Sequence, residues 1–204
     1  MGFIGVWVLA PVPDEVVAEL AAVAGPVVEA QRNDPRVREL WQQWCAAPEA
    51  VGVESADRAA TVAFDLLSGA CPLDGQVEEL YAAFDRVPAE WRPLMLTLVC
   101  RKGLPAAALA HGLGPERFAR LPGWFGDFFL DAGQVRAALP EVLAALDLPD
   151  GERPAVERRT AEWLSDYGGG RPEEAAALLD GIGPLWQAAA DAGAGLLGCM
   201  FVPG

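Results

Sequence analysis

Two short apolar segments lie at opposite ends of this chain, and they constrain its fold more than any other feature. Residues 3–9 read FIGVWVL, residues 196–202 read LLGCMFV, and nearly everything between them is patterned for helices. The backbone amides and carbonyls of such segments need hydrogen-bond partners, which pairing in one small sheet supplies. The chain therefore predicts an α+β fold, predominantly helical, with a small sheet that includes the N-terminal and C-terminal strands.

Length and composition favour one folded domain. The 204 residues are 52% hydrophobic and 22% charged, which separates the chain from disordered sequences. No repeat of fixed period and no charged linker divides the sequence, and Gly168-Gly169-Gly170 is the one segment with the composition of a hinge. We expect a single α+β domain over residues 1–204.

The net charge restricts the classes of partner. At −14, the chain repels phosphate backbones and anionic membrane surfaces, and its sequence has no basic patch to offset that repulsion. We therefore expect no nucleic acid and no membrane partner. A basic protein surface or a cationic ligand fits the charge better, although an acidic surface also keeps a protein soluble without any partner.

The cysteines and the N-terminus indicate a reducing compartment and no metal. Cys45, Cys71, Cys100 and Cys199 are widely spaced, with no C-x-x-C pair and no nearby histidine to complete a zinc set. No glycine-rich nucleotide motif is present either, so we expect no cofactor. The first apolar segment lacks a basic region before it and is soon followed by Pro11 and Pro13, unlike a signal peptide. The chain is predicted to be cytoplasmic, with free, reduced thiols.

Apolar residues recur at helical spacing through much of the chain. Capping residues and breakers place the predicted helices from Pro13 to a stop at Gly25-Pro26, near 35–46, from a cap at Ser55-Ala56-Asp57 to Ser68, over 77–84, 132–146 and 154–167, and from Pro172 to Ala192. Pro140 is a possible break in one of them, and residues 181–184 are expected to interrupt the last. Residues 91–100 fit a buried helix or a strand.

Glycines and prolines punctuate residues 104–130, so only short helical pieces are expected there. Long irregular segments in compact domains are often functional. His111, the only histidine, lies in this segment, and the bland interpretation is a cationic cap at the end of a short helix. The alternative is a carboxylate-based catalytic site near residues 104–131, for which Glu116, Asp127 and Asp131 are the candidates beside His111.

An aromatic cluster follows at residues 122–129, which read PGWFGDFF. The glycines and Pro122 favour an exposed turn that presents Trp124 and Phe125. Such residues act as anchors for partners or as walls of pockets, and the plain alternative is that they cover an edge of the core. Trp124 and Phe125 are therefore candidate binding residues.

Several short segments resemble the YfbM-like family of bacterial proteins of unknown function. The opening Met1-Gly2-Phe3-Ile4-Gly5 is similar to the Met-Gly-x-Ile-Gly start of that family, and Leu66-Leu67-Ser68-Gly69 resembles its helix end. Further similarities are the helix from Gln134-Val135 to Leu146, and Trp186, Ala189, Ala190 and Gly193 before the last strand. The resemblance implies an α+β fold and brings no known catalytic residues with it.

The sequence favours a non-catalytic protein-binding module that binds or neutralises a basic protein partner, in an immunity-like or regulatory function. Strong negative charge and few chemically reactive side chains support that hypothesis. The alternative is a small cytoplasmic hydrolase or transferase with a carboxylate-based site near residues 104–131.

Overall fold

The fold was analysed in a computed structural model that describes residues 3–52, 55, 57–164 and 171–203. The strands are β1 (Ile4–Val12), β2 (Leu96–Arg101), β3 (Phe128–Leu130) and β4 (Gly195–Phe201). The helices are α1 (Asp14–Asn33), α2 (Pro35–Ala46), α3 (Arg58–Ser68), α4 (Val77–Asp85), α5 (Pro105–Phe118), α6 (Ala132–Leu146), α7 (Arg153–Leu164) and α8 (Pro172–Ala192). The α+β prediction is confirmed, and the Gly168-Gly169-Gly170 hinge lies outside the described residues.

The four strands form one antiparallel sheet in the order β2-β1-β4-β3. The two terminal strands are neighbours, with Trp7 opposite Met200 and Val8 opposite Cys199. Each strand therefore supplies the hydrogen-bond partners of the other, as the sequence predicts. Residues 91–100 resolve to a short 3-10 helix followed by edge strand β2.

Helices cover both faces of the sheet. Along β1, Trp7 and Leu9 face a core that includes residues of α2, α3 and α5 through α8, whereas Val8, Ala10 and Val12 face a second core with α1 and α4. This separation follows from the alternation of side chains along a strand. Both faces of the central strands are consequently apolar.

Interior prolines do not end three of the helices, contrary to the predicted stop at Gly25-Pro26 and the predicted interruption at 181–184. α1 continues through Pro26 to Asn33, α6 runs unbroken through Pro140, and α8 runs through Pro184. All three prolines are exposed to solvent. A proline in a helix costs about 3 kcal/mol, but buried residues beyond each one, such as Val28 in α1, continue the packed face and offset that cost.

Residues 104–130 contain helical structure that is divided at Gly114, in keeping with the short helical pieces expected there. α5 extends over 14 residues, although Gly114 interrupts its backbone with a φ of 76° and a ψ of 165°. The turns before Gly114 are alanine-rich and buried, which lets α5 approach α7 closely. At Gly112 an added Cβ atom would overlap the Thr160 hydroxyl, so no larger residue fits there.

Candidate functional site

A cavity of about 800 Å³ opens between the sheet and the helices that surround the segment joining α5 to β3. The end of α1, the middle of α2, residues 118–126, β1, β3 and α8 all contribute to its lining. Cavities that bind small molecules are usually about 300–1,000 Å³. The cavity is therefore of a size that can enclose a small ligand.

Aromatic side chains make up much of the cavity wall. Four of the seven tryptophans line it, namely Trp7, Trp41, Trp124 and Trp186. Phe118, Phe125 and Phe128 add three further rings. Trp41 and Trp124 have ring centroids 5.5 Å apart, so part of the wall is a continuous aromatic surface. Such surfaces favour flat apolar molecules, which can pack against ring faces and edges.

A tight turn at residues 124–127, hereafter the wall turn, sets the position of Trp124. The backbone N–H of Trp124 donates to Asp127 O, and that of Asp127 donates to Trp124 O, each at 3.0 Å. The two central residues, Phe125 and Gly126, have φ angles of 43° and 95°, as a type I′ turn requires. Glycine accepts a positive φ readily, whereas for a bulky phenylalanine it is a strained conformation.

Contacts with the rest of the fold hold the wall turn in this conformation. The indole Nε1 of Trp7 donates to Gly126 O at 2.9 Å in a buried hydrogen bond that links the turn to β1. An added Cβ atom at Gly126 would lie 2.7 Å from Ala106 Cβ and 2.8 Å from Trp7 Nε1. The turn is therefore packed against β1 and α5 too closely for any side chain at residue 126.

Three arginines lie along the edge of the cavity and form what we call the arginine rim: Arg32, Arg38 and Arg120. The only carboxylate among the described lining residues is Glu29. Arg32 pairs with Glu29 at 3.6 Å and Arg120 with Glu116 at 3.9 Å, both between solvent-exposed side chains. The Arg38 side chain forms no hydrogen bond or ion pair with the described residues. The edge of this cavity is thus basic in a chain of net charge −14.

The expected exposed anchor of Trp124 and Phe125 needs correction. Phe125 is only 4% exposed and packs its ring 5.2 Å from that of Phe118, so it belongs to the core. The wall turn directs this side chain inward, which the surrounding glycines do not reveal. Trp124 is half-buried and lines the cavity, in agreement with the pocket-wall interpretation.

His111 lies in the turn of α5 that precedes the break at Gly114, near a helix end as predicted, but it is buried and is not the cationic cap expected there. Its Nε2 lies 3.3 Å from Glu162 Oε2, and a neutral ring donates a hydrogen bond there through Nε2–H. Burial, assisted by the nearby Arg159 guanidinium, lowers the pKa of His111 to about 3. The ring is therefore neutral at physiological pH.

Two of the candidate carboxylates have local structural contacts. Glu116 lies on the exposed surface of α5 and pairs with Arg120. Asp131 caps α6, because its Oδ1 accepts a hydrogen bond from the Gln134 backbone N–H at 2.8 Å. The Gln134 side chain in turn accepts from the Asp131 backbone N–H at 3.0 Å, which completes a capping box.

Asp127 is the most unusual of the candidates, because its side chain is almost entirely buried at 1% exposure. Its Oδ1 accepts a hydrogen bond from the Met200 backbone N–H at 2.6 Å. Since β3 pairs with β4 only as far as Gly198, this carboxyl oxygen satisfies an amide that β3 does not reach. Burial raises the pKa of Asp127 well above its usual range.

No hydrogen bond or ion pair among the described residues joins any two of His111, Glu116, Asp127 and Asp131. Their side chains engage in separate contacts of α5, the wall turn and the start of α6. The shared carboxylate-based site near residues 104–131 therefore stays a prediction.

Burial raises the pKa of all four cysteine thiols, including that of Cys45. All four cysteines are free, and burial raises the pKa of Cys71 and of Cys100 to about 12. Cys199 is fully buried, and burial raises the pKa of its thiol well above the usual range. Within the described ranges, no three His, Cys, Asp or Glu side chains are grouped so that they could hold a metal ion. No described helix combines the length and apolarity needed to cross a membrane.

Comparisons of the chain with models of protein families, with curated proteins and with solved structures find no match. The resemblance to the YfbM-like proteins therefore stays a prediction, and the functional argument depends on the geometry of the cavity.

Sequence reasoning found Trp124 but missed the arginine rim. Arg32 and Arg38 flank the junction of α1 and α2, far in sequence from Arg120, and only the fold brings them to one cavity. The one local hint of the rim in the sequence is that Arg38 lies on the same helix as Trp41. This hint is weak, because arginines often lie near core tryptophans on amphipathic helices.

Proposed function

We propose that this chain is a non-catalytic binding protein and that the aromatic cavity is its binding site. The observation that carries the proposal is the enclosure of about 800 Å³ by rings from β1, α2, α8 and the wall turn. Ligand sites in proteins combine apolar and aromatic walls with a few polar groups at defined positions, and this cavity has both.

The construction of the wall supports a preformed site. Trp7 and Trp186 are 3% and 2% exposed and belong to the core, so the floor of the cavity does not depend on a ligand for its order. The wall turn is tied to β1 by the bond between Trp7 and Gly126. A site that is already ordered loses little conformational freedom on binding, which favours affinity.

The test uses N-phenylnaphthylamine, a neutral molecule of two linked aromatic groups whose fluorescence increases in apolar surroundings. We expect saturable binding with one site per chain, accompanied by quenching of tryptophan fluorescence. Trp124→Leu should weaken this binding about tenfold, because the substitution removes a ring from the wall.

A matched control comes from Trp91→Leu, which replaces another half-buried tryptophan that does not line the cavity. This variant should bind the probe as the parent protein does. The proposal is wrong if the parent protein shows no saturable binding, or if Trp91→Leu and Trp124→Leu weaken binding equally while both remain folded by circular dichroism.

A basic protein partner stays a second proposal, and the net charge of −14 favours it. The arginine rim opposes the approach of a cationic surface, so such a partner would dock on acidic helix faces away from the cavity. Affinity capture at low and at high salt tests this reading. It predicts basic captured proteins whose binding weakens with salt, and it fails if they are acidic or bind regardless of salt.

A further inference from the structure

We propose that the cavity selects ligands in which a flat apolar body carries an anionic group, an inference that rests on the function proposed above. The aromatic wall alone would accept any flat apolar molecule. The arginine rim adds a preference, because three guanidinium groups against the carboxylates of Glu29 and Glu116 leave the cavity edge a net positive local charge.

The basic charge of the arginine rim contrasts with the acidic composition of the chain. The sequence has 29 acidic and 15 basic residues, so a randomly placed group of charged side chains would be mostly acidic. The cavity reverses that ratio. Arginine also suits the task, since its planar fork of donors matches carboxylates, sulfonates and phosphates and keeps its charge at any physiological pH.

The rim arginines are available to a ligand. Arg38 has no side-chain partner among the described residues. The pair of Arg32 with Glu29 and the pair of Arg120 with Glu116 span 3.6 and 3.9 Å between exposed side chains. Ion pairs of this kind contribute little in water, so an anion can replace or share the carboxylate at small cost.

Burial and charge together orient the expected ligand. The rings of Trp7, Phe128 and Trp186 are buried, whereas the side chains of Arg32 and Arg120 are 52% and 43% exposed. Because the buried rings offer a ligand little surface, an amphipathic molecule would place its apolar body against the half-buried rings of Trp41 and Trp124 and leave its anionic group at the solvent-exposed edge. That arrangement avoids the desolvation of a charge inside the cavity.

Two related probes measure how much the anionic group contributes to binding. Anilinonaphthalene sulfonate is N-phenylnaphthylamine with an added sulfonate, so the two molecules share one apolar aromatic body. In a purely apolar cavity the sulfonate adds a desolvation cost, and the neutral probe would bind more tightly. We expect the opposite here, with the anionic probe favoured by about tenfold at low salt and less at high salt.

Arg38→Gln tests whether the rim produces that preference, because this substitution breaks no described ion pair. It should weaken binding of the sulfonate by about tenfold and leave the neutral probe unchanged. Arg36→Gln is the matched control, since Arg36 lies exposed on the same helix but does not line the cavity. This control should alter neither probe more than about twofold.

The outcomes separate this inference from the function on which it rests. If neither probe binds, the cavity is not a binding site and both proposals fail. If both probes bind but the neutral one is preferred, or if Arg38→Gln and Arg36→Gln act alike, the proposed function stands and anion selection is wrong. Should the tryptophan variants be unstable, the comparison of the two probes on the parent protein still decides between these outcomes.

Competition then distinguishes the sources of the anion. Naphthoate represents aromatic carboxylates, and adenosine monophosphate represents nucleotides, in which a flat base carries a phosphate. Displacement of the sulfonate probe by naphthoate alone assigns the site to aromatic carboxylates, and displacement by the nucleotide alone assigns it to nucleotides. Failure of both to displace the probe, at concentrations far above its dissociation constant, would overturn the assignment of the ligand class.

Discussion

Replacement of Asp127 by asparagine should make the protein more stable at neutral pH, even though the wild-type carboxyl makes a short hydrogen bond. The side chain is 1% exposed, and its Oδ1 accepts from the Met200 N–H at 2.6 Å. An asparagine Oδ1 has the same shape and can accept the same bond. Asp127→Asn therefore removes the titratable carboxyl and keeps the contact.

The change of this stability difference with pH follows from the direction of the Asp127 pKa shift. Burial raises the pKa of Asp127 above its ordinary value of about 3.9. Between these two pKa values the folded protein keeps a proton that the unfolded chain has released, so stability falls as pH rises, by about 1.4 kcal/mol per pH unit. Below the ordinary pKa both states are protonated and this loss disappears.

The asparagine variant does not titrate at this position, so its free energy of unfolding does not fall with pH through this residue. Its free energy of unfolding should equal that of the parent within about 1 kcal/mol near pH 4. The variant should then gain on the parent by about 1.4 kcal/mol per pH unit until the folded-state pKa of Asp127 is passed. Asp127→Ala does not titrate at this position either, but it leaves the Met200 N–H without its partner, so it should be about 1–3 kcal/mol less stable than Asp127→Asn at every pH.

Urea unfolding followed by circular dichroism, from about pH 4 to about pH 8, measures these differences. Other carboxylates titrate in both proteins and cancel in the comparison. Asp85→Asn is the control, because it removes one negative charge from an exposed position at the end of α4. The reasoning is refuted if the difference between Asp127→Asn and the parent does not change with pH, or changes as it does for Asp85→Asn.

Two further predictions concern single residues. Gly126→Ala should destabilise the fold by at least about 2 kcal/mol in urea unfolding, because residue 126 has a φ of 95° and no space for a Cβ atom. The imidazole NMR signals of His111 should not shift between about pH 8 and pH 5, since its pKa is lowered to about 3. Because the unfolded chain gains a proton at His111 below about pH 6.5, this residue reduces stability toward acid pH, and a midpoint near 6.5 would contradict its burial.

Local signals in the sequence gave the helix starts accurately. Asp34 precedes Pro35, and its side chain accepts from the Arg36 N–H at 2.8 Å, as expected of a cap. Asp57 caps α3 in the same way, through the Ala60 N–H at 3.0 Å. Such bonds join residues two or three positions apart, so the sequence alone contains everything that determines them.

Helix ends were harder to predict, because they depend on distant packing. Gly25-Pro26 is a strong local stop signal, yet Val28 beyond it is only 5% exposed and packs into the core with α1 and the sheet. The stability gained there comes from residues remote in sequence. No pattern within α1 could indicate that gain.

The candidate site was predictable only in part for the same reason. Aromatic and glycine residues at 122–129 marked a turn next to a functional surface, and Trp124 does line the cavity. β3 exists because Phe128–Leu130 pairs with β4, which lies at the other end of the chain. That pairing turns Phe125 inward, and the sequence of the turn itself does not specify the direction.

Different residues of this cavity determine stability and ligand binding. The residues that hold the wall turn determine stability, and the arginine rim determines the preference for an anion. Asp127, Gly126 and Trp7 hold the turn through buried bonds, so substitutions there change the free energy of unfolding and disturb the wall together. Arg38 makes no such contact and is exposed, so its replacement can change binding without changing the fold. A variant that loses the anionic probe, keeps the neutral probe and keeps its unfolding midpoint can then be explained only by the charge at the cavity edge.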